Sequence, residues 1–148
     1  MSSTLFEAPQ YHPEKERKRK QAIWAAIIIV LILAGLAYRY RNWPEERAVD
    51  HFFTALQQKD YEKAYAIWMA DPQWKEHPKK YAQYPYEDFY RDWGPGGDWG
   101  IIKSHKVLGS ERTKSGSGVV VVVDVNERAE KARLFFDLHD NTLTFSPV

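Results

Sequence analysis

Hydrophobic positions along the chain follow three patterns, and each pattern predicts a different kind of element. Residues 22–38 form an apolar run without a single charged side chain. Between residues 44 and 93, apolar residues recur at intervals of three and four, which is the period of an amphipathic helix. From residue 100 onward, β-branched runs and alternating apolar and polar residues predict strands. The chain therefore divides into an apolar segment, a helical region and a strand region.

The apolar segment 22–38 predicts a membrane-spanning helix. Its 17 residues at about 1.5 Å each reach about 26 Å, near the lower limit for the hydrocarbon core of a bilayer. A soluble helix of this composition would need protein on every face, and few residues remain to supply it. Basic and amphipathic side chains suited to the membrane–water interfaces flank the segment: Lys18, Arg19, Lys20, Trp24, Tyr38, Arg39, Tyr40, Arg41 and Trp43.

The charges beside this segment predict its orientation. Five basic residues lie within 15–20, whereas Arg39 and Arg41 follow closely behind the apolar run. The positive-inside rule places the N-terminus in the cytoplasm of a bacterial cell, with the chain crossing the inner membrane once. The alternative is a cleaved signal peptide, because residues 35–37 read Gly-Leu-Ala, but the long polar leader favours an uncleaved signal anchor.

The predicted organisation has four parts. Residues 1–21 form a cytoplasmic basic tail, 22–38 the transmembrane helix, 39–43 a juxtamembrane linker and 44–148 an extracytoplasmic domain. The tail is either solvated near anionic headgroups or docks on a cytoplasmic partner through Leu5, Phe6 and Tyr11.

Apolar spacing predicts three short helices at the start of the domain. The apolar face of the first helix consists of Val49, Phe52, Phe53 and Leu56. That of the second consists of Tyr61, Ala64, Tyr65 and Trp68, and that of the third of Tyr86, Phe89, Tyr90 and Trp93. Pro44 suits the first turn of the first helix, Asp60 suits the N-cap of the second, and Pro85 opens the third.

Four strands are predicted after these helices, at 100–108, 119–125, 131–138 and 142–145. The fold class is therefore α+β, with three short helices packed on a four-strand antiparallel sheet. The residues expected to pack on the helices are Ala132, Leu134, Phe136, Leu138, Leu143 and Phe145. The residues expected on the opposite face, which form a candidate protein interface, are Lys131, Arg133, Phe135, Asp137, Thr142 and Thr144.

Composition and charge narrow the possible functions. The 148 residues have a formal net charge of +1 and contain no cysteine. Thiol nucleophiles, thiolate metal sites, disulfides and covalently attached c-type haem are thereby excluded. Residues 43–148 hold 14 basic and 17 acidic side chains, so this domain lacks the basic surface of a nucleic-acid binder.

The order of elements and the phrase FFTALQQKDYEKAYAIW at 52–68 resemble the opening of nuclear transport factor 2-like domains. In that superfamily, helices pack into a strongly curved, cone-like sheet. Membrane-tethered members often begin with a helix, a link of the form K/G-D-Y-E-K-A-Y and a second helix. The resemblance spans about residues 44–148. Because the superfamily includes isomerases, dehydratases, ligand binders and non-enzymatic assembly subunits, the resemblance implies a fold and not one function.

The candidate catalytic residues do not form a recognisable motif. None of the histidines, His12, His51, His77, His105 and His139, has a partner at a metal-ligand spacing. Enzymes of the resembling superfamily bury an Asp or His among aromatics, which makes Asp50, His51, Asp92 and Asp124 the candidates here. Asp50 lies off the apolar face of its helix, whereas Asp124 shares a strand face with Val120 and Val122. The alternative for Asp124 is a strand-end carboxylate with local hydrogen bonds.

Aromatic residues are dense between 74 and 99. Four of them lie outside any helical period: Trp74, Tyr81, Tyr84 and Trp99. Such residues line a ligand pocket, form a protein interface, stack on sugar rings or pack within a loop.

The pattern as a whole predicts a non-catalytic accessory or scaffold subunit of a membrane complex. Its expected partners are the lipid bilayer and either other membrane proteins or a second copy of itself, with no cofactor and no nucleic acid. In layout, though not in length, it resembles the bridging subunits of type IV secretion systems. The alternative function is small-ligand binding, or isomerase or dehydratase chemistry, in an aromatic-lined cone.

Overall fold

The computed structural model describes residues 13–146. The chain forms two compact units, Met1–Arg41 and Asn42–Val148. The candidate tail peptide Leu5, Phe6 and Tyr11, together with His12, lies outside the described residues.

The first unit contains one long helix, α1, at Pro13–Arg39. Glu14 and Glu16 lie in its first turn and Arg39 in its last, an arrangement that complements the helix dipole. The helix therefore begins within the predicted tail, before the apolar run starts at Ala22. By length and composition α1 can cross a membrane, and no part of it is buried in the protein. A signal sequence near an N-terminus meets the same criterion.

The helices of the second unit are α2 at Trp43–Gln57, α3 at Tyr61–Trp68 and α4 at Tyr86–Trp93. A 3-10 helix at Trp74–Glu76, which the sequence did not predict, lies between α3 and α4. Asp60 is the N-cap of α3, because its Oδ1 accepts a hydrogen bond from the Lys63 amide at 3.1 Å. The predicted apolar face of α2 is confirmed, since Phe52 and Phe53 are fully buried.

The strands are β1 at His105–Arg112, β2 at Gly118–Val125, β3 at Ala132–Asp137 and β4 at Leu143–Phe145. They form one sheet in the order β1-β2-β3-β4, and each neighbouring pair is antiparallel. The prediction of an α+β domain with a four-strand antiparallel sheet is confirmed.

The predicted position of the first strand was wrong. The prediction was 100–108, whereas β1 starts at His105 because the preceding backbone bonds to a distant side chain. Asn126 Oδ1 accepts the amides of Lys103 and Ser104 at 2.7 and 3.1 Å, and its Nδ2 donates to the carbonyl of Ile101 at 2.9 Å. The register of β1 on β2 then shifts between Val107 and Gly109, which makes Leu108 the extra residue of a bulge.

The core lies between the helices and one face of the sheet. On β2, Val119, Val121, Val123 and Val125 are fully buried. The aromatic rings packed against this face include Phe52, Trp68, Phe89 and Trp93.

Phe145 departs from the prediction that it would be covered by the helices. Its ring stacks on Trp93 with centroids 5.6 Å apart and an interplanar angle of 3°. However, 51% of Phe145 is exposed, because β4 is a three-residue edge strand with no neighbour on its far side.

Candidate docking surface and aromatic cleft

The face of the sheet turned away from the core is called here the outer face. On β2 it consists of Val120, Val122 and Asp124, which alternate with the buried valines. Cross-strand partners extend this face over the whole sheet. Residues that lie side by side on neighbouring strands form a row across the sheet. The row through Val120 contains Glu111, Phe135 and Thr144. The row through Val122 contains Gly109 and Arg133, and the row through Asp124 contains Lys106.

The outer face carries charged side chains that have no partner inside the protein. Lys106, Glu111 and Arg133 are exposed, and within residues 13–146 none of the three forms a side-chain hydrogen bond or an ion pair. Leu108 on the edge strand β1 is also 50% exposed. Apolar side chains surrounded by polar and charged ones match the composition of a protein interface, which has an apolar core and a polar rim.

Phe135 was expected to be an exposed aromatic, and this expectation was wrong. The side chain is half-buried, because its ring covers Gly118 on the neighbouring strand. Gly118 pairs with Asp137, so Phe135 reaches it diagonally across the sheet. Phe135 therefore contributes to the apolar centre of the outer face and also stabilises the domain itself.

Several other predicted interface residues are bonded within the domain. Lys131 Nζ lies 2.9 Å from Asp124 Oδ1 in an ion pair. Asp137 Oδ1 accepts the His139 amide at 2.7 Å. Thr142 Oγ1 donates to Asp140 Oδ1 at 2.6 Å and so belongs to the turn before β4. Thr144, by contrast, is exposed, as Arg133 is.

Two of the four loop aromatics, Trp74 and Tyr84, pack inside the domain. Trp74 stacks on Tyr86 at 5.1 Å and contacts Tyr65 edge-on at 4.8 Å. The Tyr84 hydroxyl donates to Asp92 Oδ2 at 2.9 Å, and the Tyr84 carbonyl accepts the Tyr65 hydroxyl at 2.7 Å. Burial first, and then the bond to the Asp92 carboxylate, raises the pKa of Tyr84 far above its ordinary value. These rings stabilise the loop between α3 and α4.

Tyr81 belongs to a hydrogen-bonded cluster around Asp71. Asp71 Oδ2 accepts the Tyr81 hydroxyl at 2.6 Å and lies 2.9 Å from His77 Nδ1, while Oδ1 accepts the Gln73 amide at 2.9 Å. The Tyr81 hydrogen bond, followed by the bonds from His77 and Gln73, outweighs burial and lowers the pKa of Asp71 to about 2. The cluster fixes the loop that leads into the 3-10 helix.

Trp99 lines a cleft of about 310 Å³ at one end of β3. The apolar lining residues are Trp93, Trp99, Ala132, Leu134 and Phe145, and the polar ones are Glu130, Lys131, Arg133 and Ser146. Arg128 lies over the Trp99 ring at 5.5 Å from its centroid. This arrangement suits non-covalent binding of a ligand that has an apolar group and a negative charge, since Trp93, Trp99 and Phe145 line the cleft together with Arg133.

The candidate carboxylates Asp50, Asp92 and Asp124 each have a different partner and lie on three different elements. Asp50 Oδ1 on α2 is 3.0 Å from His105 Nε2, and His105 Nδ1 is 3.1 Å from Gln57 Oε1. Asp92 on α4 accepts from Tyr84, and Asp124 on β2 pairs with Lys131. His51 is exposed. No three His, Asp or Glu side chains between residues 13 and 146 are grouped to hold a metal ion.

His105 is the residue that the sequence analysis missed. It stacks on Phe53 with centroids 5.8 Å apart and joins β1 to α2. Its partner Asp50 is 55 positions away, so no local spacing indicates the pair.

The predicted membrane-flanking residues are exposed at both ends of the apolar run. Lys18, Arg19, Lys20 and Trp24 lie on α1 with Tyr38 and Arg39, while Tyr40 and Arg41 follow it and Trp43 begins α2. The guanidinium of Arg41 lies over the Tyr38 ring, 5.2 Å from the ring centroid. The guanidinium of Arg47 lies over the Trp43 ring, 5.0 Å from the ring centroid. Arginine on an aromatic ring suits the boundary between lipid and water.

No known protein family matches this chain, and neither a curated protein nor a solved structure matches it significantly.

Proposed function

We propose that this protein is a non-catalytic accessory subunit, anchored by α1 in a bacterial inner membrane, whose domain docks on protein through the outer face. In this proposal the N-terminus is cytoplasmic, as the five basic residues before the apolar run favour. The domain of residues 44–148 is then extracytoplasmic.

The composition of β2 is the observation that carries the proposal. Residues 119–123 are five consecutive valines, a run typical of strands that are buried on both faces. The helices bury Val119, Val121 and Val123 completely, whereas Val120 and Val122 are left half-buried on the outer face. A second protein surface on that face would complete the burial of the strand.

The sheet edges are poorer docking sites than the outer face. The edge strand β1 contains the bulge at Leu108 and the charged residues Lys106 and Glu111, all of which interfere with pairing to another strand. The opposite edge, β4, is three residues long. Addition of a partner strand is therefore disfavoured at both edges.

The aromatic cleft supports a second candidate function. Its lining by Trp93, Trp99 and Phe145 suits a small apolar ligand, in keeping with the resemblance to nuclear transport factor 2-like ligand binders and enzymes. That resemblance also implies a cone-like curvature of the sheet.

Purification in mild detergent distinguishes the docking function from the ligand-binding function. Stoichiometric companion proteins favour docking, whereas a lone chain with a co-purified small molecule favours ligand binding.

Site-directed cross-linking tests the docking surface. Because the chain contains no cysteine, Thr144→Cys places a unique thiol on the outer face. The matched control is Glu87→Cys, which is also exposed and lies on α4, on the helical side of the domain. With a short thiol-reactive cross-linker in native membranes, we expect protein adducts from the Thr144 variant and few from the Glu87 variant. Equal yields, or no adduct from Thr144→Cys, would contradict the proposal.

A further inference from the structure

We infer that the occupant of the outer face is a second copy of the same chain, related to the first by a twofold axis. This inference rests on the proposed docking function and identifies the partner that docks. The distribution of charge over the outer face is the observation that supports a second copy.

The outer face is electrically neutral as a whole but divided along the strand direction. The end defined by the Asp124 and Val122 rows has three cationic side chains, Lys106, Lys131 and Arg133, and one anionic side chain, Asp124. The end defined by the Val120 and Gly118 rows carries Glu111 and Asp137, and the described strand positions of the outer face at this end include no cation. One end is therefore positive, the other is negative, and the apolar residues Val120, Val122 and Phe135 lie between them.

A surface of this kind complements itself. When two copies face each other across a twofold axis perpendicular to the strands, the positive end of each meets the negative end of the other. Lys131 of one copy then lies opposite Asp137 of the second. Lys106 lies one row from Glu111 of the second copy, and Arg133 lies one row from its Asp137, within reach of long side chains. The valines of the two β2 strands meet at the centre, which is also where the axis passes. The charges that are unpaired within one chain thus find partners in the dimer.

The size of the face sets the strength of this contact. The strands contain 8, 8, 6 and 3 residues; at about 3.4 Å per residue and about 4.8 Å between strands they cover about 400 Å² per copy. Two copies bury about 800 Å², which is below the usual size of a stable specific interface and typical of a weak contact. We therefore expect weak dimers in dilute detergent and much stronger association when both copies are anchored in one membrane, where their effective concentration is higher.

Charge exchange on β1 tests the inference in the full-length chain. Lys106 and Glu111 are exposed and have no side-chain partner among residues 13–146, so their substitution should leave the fold intact. Each variant also carries Glu87→Cys for attachment of donor or acceptor dyes, and the chain is reconstituted in lipid vesicles. We expect Lys106→Glu alone and Glu111→Lys alone each to weaken energy transfer between copies, with a dissociation constant about tenfold higher.

The double variant Lys106→Glu with Glu111→Lys distinguishes a second copy from any other partner. In the twofold dimer it restores opposite charges across the contact, so association should return to within about twofold of the parent. Circular dichroism of each variant verifies the fold. An undisturbed dimer in both single variants, or a double variant weaker than either single one, would overturn the inference.

The failure of this inference differs from the failure of the docking function. A chain that does not self-associate, yet forms a Thr144→Cys adduct with a different membrane protein, overturns the second copy and leaves docking in place. The absence of any Thr144→Cys adduct overturns both.

Discussion

The phenyl ring of Phe135 occupies the space above Gly118 in which a side chain at position 118 would lie. A β-carbon built on Gly118 would overlap the ring of Phe135 and approach the carbonyl oxygen of Phe136. Glycine is therefore required at the start of β2 for a steric reason, because the phenyl ring of Phe135 crosses the sheet at this point.

Gly118→Ala should lower the free energy of unfolding by about 1–3 kcal/mol, since the ring or the backbone must move. The matched control is Gly109→Ala, where no atom lies within 4 Å of the added carbon, and its effect should stay within about 0.5 kcal/mol. Urea unfolding of the full chain in detergent, followed by tryptophan fluorescence, measures both. Equal losses would contradict the steric account.

The elements with strong local patterns were predictable, and the contacts between distant residues were not. The face of α2 with Phe52 and Phe53 followed from spacing alone, and the valine run located β2. The start of β1 was misplaced because Asn126 bonds to the backbone of Lys103 and Ser104 from more than 20 positions away.

The candidate site was predictable to a similar extent. Alternation along β3 placed Arg133 on the outer face, where it is exposed. It did not reveal that Phe135 covers Gly118 or that Asp50 meets His105, because both relationships depend on which strands and helices become neighbours. Phe135→Ala is consequently a poor test of docking, since it also removes packing from the sheet.

The Asp71 cluster predicts a dependence of stability on pH. The pKa of Asp71 falls from 3.8 to about 2 on folding, so the ionised carboxylate stabilises the fold above about pH 4. This contribution is lost as the pH falls through about 2. Asp71→Asn should therefore be less stable than the parent at pH 7, and the difference should shrink between pH 4 and pH 2.

Urea midpoints at pH 7, 4 and 2.5 measure this effect. Tyr81→Phe serves as a control, because it removes the largest cause of the low pKa and should move the transition toward the ordinary value of 3.8. A difference between Asp71→Asn and the parent that is constant from pH 7 to pH 2.5 would contradict the assignment.

The cap of α3 gives a prediction about local stability. Asp60→Ala removes the acceptor for the Lys63 amide and should cost about 1 kcal/mol, whereas Asp60→Asn keeps an acceptor and should cost little. Chemical unfolding of the two variants compares them directly. A loss of the same size in Asp60→Asn would show that the charge, and not the cap, is what matters.

The proposed orientation predicts a pattern of protease sensitivity. The basic residues before the apolar run favour a cytoplasmic N-terminus. If the proposed orientation holds, protease added to intact spheroplasts should digest residues 44–148 and spare the first twenty. Immunoblotting with tags at the two ends reads the result. Digestion of both tags in lysed cells is the control, and protection of the C-terminal tag in intact spheroplasts would reverse the orientation.

The most direct test of docking through the outer face is the accessibility of Arg133 in native membranes. Arg133 is exposed on the single chain, so a cysteine there should react with a water-soluble maleimide unless another protein covers it. We predict that Arg133→Cys is protected in native membranes and reactive after dilution in detergent, while Glu87→Cys reacts in both. Equally rapid labelling of Arg133→Cys and Glu87→Cys in native membranes would contradict the account.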